Sequence, residues 1–154
     1  MKLMFAVLML SVLIGANAKE ATAQQAAASP AAAEPAVPKI GEIMALQQMR
    51  HIKLWFAGRG GNWALADYEI DELKEGFDDV NQVLGGDTVE KAVGSPIAAI
   101  EKAVEAKDRA AFTAAFDHLT AGCNSCHHSL DRAFIVIQRP TSLPYSDQLF
   151  ATQK

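Results

Sequence analysis

The sequence predicts an all-α fold: an antiparallel up-down-up-down four-helix bundle followed by a C-terminal extended tail. Three observations carry this expectation. Apolar residues recur at steps of three and four through most of residues 40–133. Glycine groups at 58–61 and 85–86, with the capping residues Asn62, Ser95 and Asp108, divide that stretch into four segments. No part of it alternates strands with helices. The chain has 154 residues, enough for one domain with a core and needing no second.

The N-terminus reads as an address. Lys2, an apolar run from Leu3 to Ile14 and the small residues Ala16-Asn17-Ala18 have the order of a cleavable secretory signal peptide over residues 1–18. The run is shorter than the roughly 20 residues a membrane span needs, and no cysteine follows it to carry a lipid. The expectation is a soluble protein of the periplasm. Residues 19–39 are rich in Ala, Gln and Pro with few large apolar side chains, which predicts a disordered linker. The formal charge is −4; since 1–18 contain Lys2 and no acid, cleavage moves it to about −5. A mildly acidic protein without a basic patch is not built for nucleic acid.

The first helix is expected from Ile40 to about Ala57, stopped by Gly58-Arg59-Gly60-Gly61. Ile40, Met44, Gln47, His51 and Leu54 form one seam, and Ala45, Met49, Ile52 and Phe56 form an apolar edge beside it, so the helix should be well buried. Asn62 caps a second helix over Trp63–Leu84, with Gly85-Gly86 as its stop. Trp63, Ala66, Ile70, Leu73, Phe77, Val80 and Leu84 form its inner stripe. Its outer face carries Asp67, Glu69, Asp71, Glu72, Glu75, Asp78 and Asp79 against Lys74, a solvated face whose second reading is a dock for a basic redox partner. Ser95-Pro96 predicts the start of a third helix running to about Lys107. Asp108 caps a fourth, with Phe112, Phe116, Leu119, Cys123, Cys126 and Leu130 on one stripe up to about Ala133. Phe134-Ile135-Val136-Ile137 and the prolines after it read as extended chain lying on the bundle, anchored by Tyr145 and Phe150.

The chemistry-bearing motif is Cys123-Asn124-Ser125-Cys126-His127, holding the only two cysteines of the chain. C-x-x-C-H is the spacing at which two thiols add to the vinyl groups of a haem while the adjacent imidazole takes an axial position on the iron. Three blander readings compete. A redox dithiol usually opens a helix in a βαβ setting, which is absent here. A closed zinc site wants four ligands, and no second cysteine pair exists. A Cys123–Cys126 disulfide would close a very short loop at the expense of helical backbone. The motif therefore predicts one covalent haem c. Cys123 and Cys126 are its attachment sites and His127 its proximal ligand, within a haem-binding bundle over 40–137 and ahead of a packed tail over 138–154. Nothing else indicates an enzyme.

Four helices with C-x-x-C-H near the end of the last one resemble the class II c-type cytochromes, cytochrome c-prime and its low-spin relatives. The resemblance covers roughly residues 40–133. It implies a haem held between the helices, a residue of the first helix facing the far side of the iron, and a homodimer. The chain departs from that family by continuing more than twenty residues past the motif. His51 or Met44 is the candidate distal ligand. Either would close the iron and suit electron transfer, whereas an apolar residue such as Leu54 there would admit a small gas, NO or CO. Arg50 and Arg59 are candidates to pair with the haem propionates. His118 and His128 read as surface residues, Trp55 and Trp63 as core or haem packing. Electron transfer leads, gas binding or sensing is the alternative, and a haem-free bundle with a C-x-x-C redox switch is the third reading.

Overall fold

The computed structural model describes residues 39–152. The expected signal peptide, and the expected linker except for Lys39, lie outside them. Four helices follow in order: α1 (Ile40–Gly60), α2 (Trp63–Leu84), α3 (Thr88–Glu105) and α4 (Arg109–Ser129). Each packs on the next, and α1 closes on α4 along the loosest seam of the bundle. The described residues form helices and an extended tail, without strands. None of these helices is long and apolar enough to cross a membrane.

α2 begins and ends where local chemistry places it. Asn62 accepts from the Leu65 amide at 3.3 Å, and Gly85 takes the left-handed conformation at φ 73° that ends the helix. Its stripe is the core wall: Ala66, Ile70, Leu73 and Val80 are buried. Glu69, expected on the solvated face, is instead buried; desolvation pushes its carboxyl up, against the pull of nearby Lys53. α1 runs one turn past Ala57, because Gly61 (φ 71°) supplies the left-handed turn only after Gly60. Its seam is buried at Gln47, His51 and Leu54. The second apolar edge is not enclosed: Ala45 is exposed and Met49, Ile52 and Phe56 are half-buried.

α3 corrects the sequence reading. It starts at Thr88, two turns before Ser95, and Pro96 lies inside it. The cap comes from elsewhere: Oδ1 of Asn81 in α2 accepts from the Val89 amide at 3.1 Å. Pro96 has no N–H to give to the Ala92 carbonyl, and that carbonyl faces Gly122 of α4. A Cβ on Gly122 would lie 2.5 Å from the Ala92 oxygen, so only glycine allows this approach of the two backbones. Val89, Val93, Ile97, Ile100 and Val104 continue one buried stripe through the proline.

α4 is capped by Asp108, whose Oδ1 accepts from the Ala110 and Ala111 amides at 2.9 and 3.0 Å. It ends at Ser129, one turn before the expected Ala133. Asp131 adopts φ 57°, the Arg132 amide reaches the His127 carbonyl at 2.7 Å, and the Asp131 amide reaches that of His128 at 3.3 Å. This Schellman turn reverses the chain over the last turns of α4. The tail then runs back along the bundle. Arg139 pairs with Asp117 and lies over the Trp55 ring, 4.7 Å from its centroid. Phe150 is buried against Phe56 and Tyr145, so the expected anchors hold the tail.

The α1–α4 core is aromatic. Trp55 packs on Phe116 (centroids 4.9 Å apart) and Phe112 (6.3 Å), and both phenylalanines are fully buried. Each such side chain stabilises by roughly 1.5–3 kcal/mol through the area it removes from water. These contacts set the register. Trp55 meets Phe116 and His51 meets Thr120, so moving down α1 by four residues moves up α4 by four. Continued, the same antiparallel register brings Met44 level with His127.

Candidate functional site

Below the His51–Thr120 contact, α1 and α4 part around a cavity of about 580 Å³. That size is within the roughly 300–1,000 Å³ of small-molecule and cofactor sites. The motif forms one wall with Cys123, Cys126 and His127. α1 faces it with Met44, Gln47, Gln48 and His51, and α2 and α3 supply apolar walls including Leu73, Phe77 and Val93. Ile135, still partly exposed, and Ile137 of the tail also line the cavity. Phe134 and Val136, which alternate with them, point outward and are 79 % and 72 % exposed, as an extended segment lying on one edge requires.

Both cysteines are free thiols and half-buried. Burial, reinforced by neighbouring Cys126, pushes the Cys123 thiol up to about 12; burial also raises Cys126. Reactive dithiols are activated in the opposite way, by the positive end of a helix or an adjacent cation. Here the pair sits in the last turns of α4, at the negative end of the helix dipole. At neutral pH the site therefore presents two protonated thiols to the cavity. Among the described residues no three His, Cys, Asp or Glu side chains converge as a closed metal site would require.

His127 is oriented by the tail. Its Nδ1 lies 2.9 Å from the carbonyl oxygen of Ile135. A carbonyl only accepts, so Nδ1 carries a proton, and in the neutral form of the ring the lone pair lies on Nε2. This is the tautomer a metal-binding imidazole needs, set by the kind of outer partner such ligands use.

On the far wall, His51 is buried with its ring tilted against that of Phe116, centroids 4.4 Å apart, and desolvation lowers its pKa to about 4. Its Nε2 lies 2.9 Å from Thr120 Oγ1, whose own proton goes to the Phe116 carbonyl at 2.9 Å. Nε2 must then be the donor. His51 is thus neutral, hydrogen-bonded, and seven residues from Met44, about 10.5 Å along the helix axis. Continuing the α1–α4 register pairs Met44 with His127, and both line the cavity.

The two arginines singled out in the sequence do not line the cavity. Arg50 pairs with Glu72 at 2.7 Å and donates to Gln47 Oε1 at 2.9 Å, while Gln47 Nε2 donates to the Leu73 carbonyl at 2.7 Å. Arg59 is exposed, over the Trp55 ring at 5.4 Å. The cation on the cavity wall is Arg132, placed there by the turn after α4. Local patterning carries no signal for it, nor for Thr120 or the Ile135 carbonyl. Trp55 and Trp63 belong to the core, and His118 and His128 are exposed.

No protein family, curated protein or solved structure matches this chain. The donor set must therefore be judged on its chemistry. A covalently held haem needs two thiols and a correctly protonated imidazole on one wall, an apolar slot, and a cation for its carboxylates. Cys123, Cys126, His127, the apolar walls and Arg132 meet that list.

Proposed function

We propose that the chain is a c-type cytochrome that carries one haem c and transfers electrons, with the class II c-type cytochromes as the family it most resembles. The observation that carries this reading is the His127–Ile135 hydrogen bond. It leaves an unprotonated Nε2 on the same cavity wall as two neutral thiols. Cys123 and Cys126 would hold the haem by adding across its two vinyl groups: a carbon–sulfur bond would form as each C=C bond is lost, with the thiol hydrogen going to the other vinyl carbon. No oxidant is consumed. Bound there, the haem iron supplies a one-electron couple.

The chain's own residues do the rest. His127 would hold the iron through Nε2, and Met44, which the α1–α4 register pairs with it and which also lines the cavity, would supply a thioether that closes the site to small gases. His51 shapes the inner end of the cavity through Thr120. Apolar side chains from α2, α3 and the tail exclude water, and Arg132 faces the propionates. Residues 1–18 direct export to the periplasm, where attachment takes place. The acidic face of α2, with Asp67, Asp71, Glu75, Asp78 and Asp79 exposed, suits a basic redox partner.

A haem stain on a denaturing gel tests this reading, together with the intact mass of protein matured with an attachment apparatus. The expected result is haem-stained polypeptide whose mass exceeds the apo-chain by one haem, and loss of the stain in a Cys123→Ala/Cys126→Ala double variant. Wild-type protein that weighs no more than its amino acids ends the proposal.

A further inference from the structure

We infer that Asn124, between the two cysteines, is a positioning residue for His127: its carboxamide pins the tail so that the Ile135 carbonyl stays on the imidazole. The inference rests on the reading of His127 as a haem ligand. It adds a role for a motif position whose identity thioether formation does not require.

Asn124 makes a two-point contact with one residue of the tail. Its Nδ2 donates to the Ile137 carbonyl at 2.9 Å, and its Oδ1 accepts from the Ile137 amide at 2.7 Å. The carboxamide replaces the neighbouring strand that this extended segment lacks, satisfying both backbone groups of Ile137. Residues two apart in extended chain present the same edge, so fixing Ile137 also turns Ile135 toward α4. Asn124 and His127 are three apart on α4 and therefore share a face. The two contacts, 124 with 137 and 127 with 135, run antiparallel and side by side. The Schellman turn at Asp131 and the Ile135 amide on the Arg132 carbonyl at 2.8 Å close the far end of the loop. They hold Ile135 from its amide side; the carboxamide, through Ile137, holds the chain on the side of the Ile135 carbonyl.

A hydrogen bond from Nδ1–H to a fixed carbonyl makes the opposite nitrogen a stronger base, which favours the more highly charged state of the metal it binds. Without Asn124 the Nδ1–H is left to exchanging water. Nε2 is then the weaker ligand, the oxidised state loses ground, and the reduction potential rises.

The test is the reduction potential of full-length, haem-loaded wild type, Asn124→Ala, Asn124→Leu and Ser125→Ala. Asn124→Leu keeps the side-chain volume while losing both hydrogen bonds, and Ser125 is the exposed companion position in the motif. Both Asn124 variants are expected to shift the oxidised-to-reduced ratio at a fixed ambient potential toward reduced by about tenfold, or about 59 mV for a one-electron couple. Ser125→Ala should match wild type. Haem-loaded Asn124 variants at the wild-type potential, or an equal shift in Ser125→Ala, overturn this inference alone. Wild type without covalent haem overturns it together with the reading beneath it.

Discussion

His51 Nε2 lies 2.9 Å from the hydroxyl of Thr120, and because Thr120 gives its own proton to the Phe116 carbonyl, the buried imidazole is held neutral as the donor. This contact is the inner floor of the cavity and the point from which the α1–α4 register is counted. It also makes stability depend on pH. Burial lowers the folded pKa from 6.5 to about 4. Above pH 6.5 the ring is neutral in both states and the stabilisation is complete. As pH falls from 6.5 to 4, the unfolded chain takes up a proton that the folded one refuses, and stability drops by about 3 kcal/mol. Urea unfolding of the haem-free polypeptide at pH 7 and pH 4 should show this loss in wild type and not in His51→Gln. Equal losses in both would show that His51 is not the titrating group.

The register makes Met44 and His51 distinguishable by spectroscopy. Met44→Ala should convert a low-spin spectrum to one that changes on adding CO to reduced protein, while His51→Gln stays low-spin. The reverse pattern assigns the distal position to His51. A wild type that already binds CO shows an open site and favours the gas-binding alternative.

Gly122 is a point of close backbone approach between α3 and α4. Gly122→Ala places a Cβ against the Ala92 carbonyl, a backbone atom that cannot rotate away, so the helices must separate. The expected cost is roughly 1–3 kcal/mol, as for other overpacked sites. Chemical denaturation measures it, and an unchanged midpoint would mean that the helices part freely.

Phe150 is the buried end of the tail, packed on Phe56 and Tyr145. Phe150→Ala should cost roughly 3 kcal/mol, the low end for a buried phenylalanine, and loosen the tail first. Hydrogen exchange at tail amides should rise more than at α2 amides. A uniform rise across α2 and the tail would show that the tail is part of the cooperative core.

Local sequence was enough for the four-helix class, for both ends of α2, for the Asp108 cap and for the Cys123–His127 motif. In each case the signal and its effect lie within a few residues: Asn62 caps its own helix, and an apolar stripe at steps of three and four permits one burying face. Packing decided the rest. The start of α3 depends on a side chain of α2, Asn81, and its passage through Pro96 depends on Gly122. Glu69 is buried because of what the fold lays over it, with Lys53 of α1 close by, and Arg132 replaces Arg50 and Arg59 at the cavity because a left-handed turn at Asp131 reverses the chain. The α1–α4 register exists only once His51 and Thr120, 69 residues apart, are brought within hydrogen-bonding distance, and the carbonyl that sets the His127 tautomer arrives only when the turn after α4 folds the tail back on the helix. Periodicity reports which face of a helix is buried. It cannot report what lies opposite, because that is set by the energy of packing one face on another.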